Sequence, residues 1–333
     1  MPNAPIYFWR TSAGLMVFLL MVGFLAQDSI AVAAEAPVSP QQATLSSTDR
    51  LVWIGPTWVE QDVRTGAMEA ELQSRLGGET FVLRNLGWSG DTVWAESRGI
   101  FDPPAAGYSR MLELAKELKP TTIWLSYGAN ESWAGPAGLE KFVSQYKKLA
   151  HDFTSSTGAK IVFVTPFAFV HSRGQYRDPS SQNGNMALYV EAIRKLAAEQ
   201  QAPVIDLFAE VKGEPPLESM NGIHLEPEGE RRLARRLADQ IQFVNAEGQA
   251  VKGLKLTQAE QEELRKAIVA KNTLFFHRWR PQNITYLTGF RKHEQGNNAV
   301  EIAQFDPLVD EAEKAIAAWL KSHQAKAITP ATN

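Results

Sequence analysis

The chain contains no cysteine, which excludes a disulfide framework, a thiolate metal site and a lipid-modified cysteine behind a cleaved leader. A protein of 333 residues with 44% hydrophobic side chains needs no such staple, because it can bury a full core. Excess charge is also missing: 34 Lys and Arg face 37 Asp and Glu, a net charge of -3. That balance offers no electrostatic grip on nucleic acid or anionic lipid, and suits small uncharged or modestly charged ligands. Metal spacings such as His-Glu-x-x-His do not occur, and Gly87-x-x-Gly90 is too short for a dinucleotide or phosphate loop. No cofactor and no metal are expected.

Long apolar runs are scarce as well. Leu15 to Ala26 spans twelve residues, short of the roughly 20 that a helix needs to cross a bilayer. With Arg10 before it, and Ala31-Val-Ala33 and Ala34-Glu35-Ala36 behind it, the run has the layout of a signal peptide. The expectation is a leader over 1–34, a flexible lead-in over 35–47 rich in Pro, Ser, Gln and Thr, and an exported protein, periplasmic or extracellular, with no stable membrane anchor after cleavage. Oligomeric state has no signature in the sequence.

From Leu51 to Val244 short apolar runs alternate with helical periods, the pattern of a parallel sheet covered by helices on both faces. Strands are predicted at Leu51–Ile54, Phe81–Asn85, Thr122–Tyr127, Lys160–Thr165 and Val204–Leu207. Leu139, Phe142, Val143, Tyr146, Leu149, Ala150 and Phe153 recur at three and four residues and predict one buried helical face. Leu233, Leu237, Ile241 and Val244 have the spacing of a closing helix. The first domain therefore spans 48–246. A mainly helical extension over 252–325 follows: Thr257-Gln-Ala-Glu260 reads as a capping box for a helix to about Asn272. Asp306-Pro307 opens a last helix to about Lys321.

The apolar run Leu51-Val-Trp-Ile54 stops at Gly55-Pro56, so Thr57 stands at the carboxyl end of a strand, where open parallel sheets bind ligands. It is either a cap for the next helix or a group facing a site. Three later loops belong to the same sheet edge: Asn85-Leu-Gly-Trp-Ser-Gly-Asp-Thr92, Gly128-Ala-Asn-Glu131 and Asn221-Gly-Ile-His224. In this order the four blocks resemble those of the SGNH or GDSL hydrolases, ester-cleaving enzymes, across about two hundred residues of the 333. The resemblance implies a three-layer α/β/α, flavodoxin-like fold with a five-stranded parallel sheet.

It also implies roles: Thr57 the nucleophile, Gly90 and Asn130 the oxyanion donors, Asn221 the acid place and His224 the base. Two blocks depart from the family pattern, with Gly-Pro-Thr for Gly-Asp-Ser and Asn-Gly-Ile-His for Asp-x-x-His. Threonine keeps the hydroxyl but adds a methyl that crowds the attack. Asparagine cannot offset an imidazolium charge. Ser89 is expected to hold its turn through backbone, and Glu131 to fix its loop. Trp58, Trp88, Trp94 and Trp133 fall in or beside these loops, and their flat faces suit the sugar of an acylated carbohydrate, although ordinary packing of loops on the core accounts for the cluster better. The resemblance, taken with the expected leader, leads to an exported ester hydrolase acting on a small-molecule or glycan ester. The rival is a catalytically inactive carbohydrate-binding module on the same fold. In the extension, His277-Arg-Trp-Arg280 and Phe290-Arg-Lys-His-Glu-Gln-Gly296 mix cations with aromatics, and docking onto the first domain explains them better than an anion site.

Overall fold

The computed structural model describes residues 41–209 and 215–328; the expected leader lies outside them. Among the described residues the strands are β1 (Ala43–Ser46), β2 (Arg50–Ile54), β3 (Val82–Asn85), β4 (Thr122–Leu125), β5 (Lys160–Val164), β6 (Val204–Ile205) and β7 (Ile241–Val244). The helices are α1 (Thr57–Thr65), α2 (Ala67–Arg75), α3 (Pro104–Leu118), α4 (Leu139–Thr157), α5 (Asn183–Glu199), α6 (Pro227–Ala238), α7 (Gln258–Trp279), the short α8 (Ile284–Leu287) and α9 (Lys292–Gln295), and α10 (Phe305–Ile328). Strands β2 to β6 form one five-stranded parallel sheet in the order β3-β2-β4-β5-β6. The connection reverses between β2 and β4, and such a switch point opens a crevice beyond the strand ends.

Side chains alternate across the sheet with the period of two that strands impose. Leu51, Trp53 and Trp124 face Met68 and Leu72 of α2 and Leu233 and Leu237 of α6. Val52, Ile54, Ile123 and Leu125 face Met111 of α3, Phe142 and Tyr146 of α4 and Ile193 of α5. The three-layer reading of the sequence is therefore the observed fold.

The extension closes the β3 edge of this sheet. Its first helix opens on the expected capping box, with the Glu260 N–H donating to Thr257 Oγ1 at 3.3 Å and the Thr257 N–H to Glu260 Oε2 at 2.9 Å. Helices α7 and α10 meet through Leu264, Ile268, Ile316 and Leu320. Lys271, only 1% exposed, reaches Glu69 of α2 at 2.5 Å and the Leu83 carbonyl of β3 at 3.5 Å, and Asn272 donates to the same carboxylate at 2.9 Å. Arg84 of β3 lies 5.1 Å over the Phe275 ring and pairs with Glu313 of α10.

Three local expectations change. Ile241 and Val244 continue the spacing of Leu233 and Leu237, but α6 ends at Ala238 and they form β7, paired in parallel with β1 inside the stretch read as a lead-in. Gln240 turns the chain: its side chain accepts from the Asp206 N–H at 2.7 Å and donates to the Asp206 carbonyl at 2.9 Å, tying the helix end to the end of β6. Helix α7 continues past Asn272 to Trp279, its buried stripe of Leu264, Ile268, Lys271, Asn272 and Phe275 including two polar residues that donate to Glu69. The last helix starts at Phe305 and ends at Ile328, one turn or more beyond Lys321. Among the described residues no helix is long and apolar enough to cross a membrane.

Candidate active site

Strand β2 ends at Ile54, and Pro56 holds the extended backbone that precedes the first turn of α1. Thr57 is thus the first residue inside the helix, and no side chain caps it. Its hydroxyl oxygen instead accepts the Gly90 N–H at 3.2 Å. The helix-cap reading of Thr57 gives way to one in which the hydroxyl faces the loop after β3. Among the described residues nothing accepts the hydroxyl proton, which leaves it available to a base or a substrate.

That loop is fastened at several points. Asn85 donates to the Val59 carbonyl at 2.7 Å and accepts the Gly87 N–H at 2.8 Å, while the Trp88 N–H reaches the Gly55 carbonyl at 2.9 Å. Gly87 has no alternative here, since a Cβ would stand 2.2 Å from the Glu60 nitrogen. Gly90 has φ of +75°, a backbone region costly for any residue with a Cβ. Ser89 does hold the turn, but through a carboxylate: Glu60 Oε2 accepts both its hydroxyl and its N–H, the latter at 2.6 Å.

The third loop joins the first two through Asn130, whose Nδ2 donates to the Asp91 carbonyl at 2.7 Å and keeps a second N–H. Thr57, Gly90 and Asn130 thus form one connected group over the ends of β2, β3 and β4. Beneath them, buried Asp91 accepts from Arg98 Nε and from the Tyr127 hydroxyl, each at 2.7 Å. Glu131 accepts the N–H groups of Val93 and Gly128, both at 2.8 Å, so it fixes the loop. Burial pushes its carboxyl up to about 7 against the pull of those backbone donors.

His224 belongs to the fourth loop and is exposed. With Trp58, Gln61 and Asp62 it borders a cavity of ≈ 20 Å³ along α1, which sets it beside the first turns of the helix that Thr57 begins. No hydrogen bond joins its ring to the Thr57 hydroxyl among the described residues. Its Nδ1 faces Asn221 Nδ2 at 2.7 Å. The orientation of that amide is fixed by its other end, where Oδ1 accepts the N–H groups of Ile223 at 3.1 Å and His224 at 2.9 Å and the Ser219 hydroxyl at 3.2 Å. Asn221 therefore donates, Nδ1 accepts, and the proton of neutral His224 sits on Nε2. A base acting through Nε2 needs the opposite tautomer.

The four tryptophans fall in different surroundings. Trp58 packs edge-on to Trp53 and Phe167 in the core, and Trp94 is half-buried against the other core cluster. One face of Trp88 is covered by the Arg280 guanidinium at 3.6 Å, and Trp279 stands edge-on at 5.8 Å. Trp133, 47% exposed, leaves open surface beside Phe169. The extension docks as expected: Arg278 pairs with Glu117 and Asp306, and Arg280 with Glu60 at 2.6 Å. Among the described residues no cluster of His, Asp or Glu could hold a metal ion.

Sequence reasoning missed Glu60 and Ser219, and it placed Arg280 in a docking segment without naming the partner that receives it. Glu60 had one readable sign, its place one turn after Thr57 on the same helix face.

Residues 46–232, more than half of the 333, match the GDSL-like lipase/acylhydrolase family. Among curated proteins no relative matches. A gut microbial diltiazem-metabolizing enzyme shares the fold with TM-score 0.50 and 13% identity, over 87% of this chain and 96% of that one. An inhibitor-bound M. smegmatis aryl esterase superposes with TM-score 0.44 and 16% identity, over 58% of this chain and 98% of its own. A carbohydrate acetylesterase family member from Sinorhizobium meliloti gives TM-score 0.41 and 19% identity, over 57% and 96%.

Proposed function

Because the chain belongs to the GDSL-like lipase/acylhydrolase family, we propose that it hydrolyses ester bonds with Thr57 as nucleophile. The Thr57 oxygen attacks the carbonyl carbon and passes its proton to Nε2 of His224. The N–H groups of Thr57 and Gly90 and the free amide proton of Asn130 hold the oxyanion. Collapse expels the alcohol with the proton returned by His224, and water then cleaves the acyl-threonine by the same route. The observation that supports this reading is the 3.2 Å contact from the Gly90 N–H to the Thr57 hydroxyl, which sets a donor beside the attacking atom. An arriving carbonyl oxygen takes over that donor as the hydroxyl turns toward it. Asn221 makes the route slow, because His224 must exchange tautomers before it accepts.

Export by the amino-terminal segment and an acylated carbohydrate as substrate are part of the proposal, the latter supported by the open ring of Trp133 beside Phe169. Purified protein is expected to cleave short-chain aryl esters or acetylated sugars, and Thr57→Ala and His224→Ala to abolish turnover. Unchanged turnover in Thr57→Ala defeats the assignment. So does silence on every ester that Thr57→Ser with Asn221→Asp does not break. The Asn221 to His224 contact favours a second reading, a binding module without catalysis. Saturable glycan binding by calorimetry, unaffected by Thr57→Ala in a protein without turnover, selects it.

A further inference from the structure

The loop that carries Gly90 is held from outside the matched region, by the extension. Arg280, the residue just after α7, pairs with Glu60 Oε1 at 2.6 Å while its flat guanidinium lies 3.6 Å over the Trp88 indole. The other oxygen of the same carboxylate takes the Ser89 N–H at 2.6 Å and the Ser89 hydroxyl. Glu60 sits in the first turn of α1, where a carboxylate is favoured by the helix dipole. The Glu60 and Arg280 side chains are 10% and 23% exposed, so the pair is largely shielded from water. One arginine therefore presses on Trp88 and anchors Ser89, the two residues immediately before Gly90.

We propose that Arg280 is a positioning residue: through Glu60 and Trp88 it sets where the Gly90 N–H points, so the carboxyl-terminal extension completes the oxyanion hole. This rests on the hydrolase reading of the site. Asn85 and Gly87 fix the base of the loop and Asn130 and Arg98 hold Asp91 at its far end, all without help from the extension, whereas the side chains that reach Ser89 and Gly90 between them are Glu60, braced by Arg280, and Thr57. When substrate claims the Gly90 N–H, the tip loses its bond to Thr57, and the arginine clamp is what keeps the donor aimed. A preorganised donor loses its effect when it moves; misplacement of about 1 Å costs on the order of 10²-fold in rate. Lysine can keep the charge but cannot lay a planar fork on an indole.

The full-length protein and its Arg280→Ala, Arg280→Lys and Glu60→Gln variants are compared in two assays. Amide hydrogen exchange read by mass spectrometry is expected to rise at least tenfold over 87–91 in Arg280→Ala, with β4 and α4 unchanged. With a short-chain aryl ester, kcat should fall on the order of 10²-fold with KM within about threefold, as for loss of an interaction made only in the transition state. Arg280→Lys and Glu60→Gln should fall between Arg280→Ala and the parent in both assays. Unchanged exchange in the loop overturns the proposal, whether or not any ester is cleaved. A rise shared by β4 and α4 also overturns it, because Arg280 is then a general stabiliser. If the parent cleaves no ester, only the hydrolase reading falls, and exchange alone decides the placement of the loop.

Discussion

Asn221→Asp is predicted to raise turnover, and the turn around it explains why the change is tolerated. Oδ1 of residue 221 is an acceptor for two backbone N–H groups and the Ser219 hydroxyl, and a carboxylate oxygen accepts all three equally well. Only the other atom changes character: an amide that donates to His224 Nδ1 at 2.7 Å becomes an oxygen that accepts from it. The ring then carries its proton on Nδ1, which frees Nε2 for the Thr57 proton. The imidazolium that forms also gains a neighbouring negative charge. At about 4 Å between charge centres that attraction amounts to roughly 1 kcal/mol in water and about 4 kcal/mol at a protein surface. One factor of ten in rate corresponds to about 1.36 kcal/mol, so kcat/KM should rise between about fivefold and a thousandfold. The assay is hydrolysis of a short-chain aryl ester over a range of pH. The acid limb of the profile should move to higher pH in the variant, because the carboxylate favours the protonated ring. A folded variant with neither gain nor shift refutes the tautomer argument and removes His224 as base.

Further perturbations probe other parts of the molecule. Gly87→Ala, whose Cβ meets the Glu60 nitrogen at 2.2 Å, should lift the loop off α1 and lower kcat on the order of 10²-fold, as read with the same ester. Lys271→Ala leaves Glu69 buried without its cation and should cost about 3–5 kcal/mol in urea unfolding, whereas Lys271→Met with Glu69→Leu should cost far less. Glu230 has its carboxyl pushed up to about 7 by burial and then by the neighbouring charge of Asp62. Between its ordinary 4.5 and about 7 the folded form holds a proton that the unfolded chain has released. Its contribution to stability is therefore full below that window and lost as pH rises through it. Partly solvated, it should account for about 1–3 kcal/mol at most. Glu230→Gln should flatten the fall in urea-unfolding stability between about pH 4.5 and 7 by about that amount; an identical slope excludes Glu230 as its source.

What could be read in the sequence was what depends on neighbours along the chain. The run from Leu51 to Gly55-Pro56 announces a strand and its end, and the stripe from Leu139 to Phe153 announces α4, because each period is imposed by backbone geometry. The order of four loops on one sheet edge follows from parallel topology. The small sheet of β1 and β7 escaped notice because four-residue strands carry little period, and Ile241 and Val244 happen to match a helix. Helix α7 looked shorter than it is because Lys271 and Asn272 occupy its buried stripe, and polarity there is normally a sign of solvent. The contacts of Glu60 with Arg280, 220 positions away, are tertiary and leave no local trace. Tryptophans near a site could be counted, but which ring stays open depends on partners such as Arg280 that only the fold supplies.

Strand β3 is the outer member of its sheet, and an outer strand with free N–H and C=O groups is a template on which another chain can pair. Helices α7 and α10 occupy that flank, with Lys271 reaching the Leu83 carbonyl and Arg84 drawn toward Phe275 and Glu313. At the opposite border β6 has only two residues, too few to nucleate a ladder. A fragment cut before α7 would trade this guarded border for a sticky one. Aggregation, more than loss of fold, is the hazard to watch for when the protein is shortened to its matched portion.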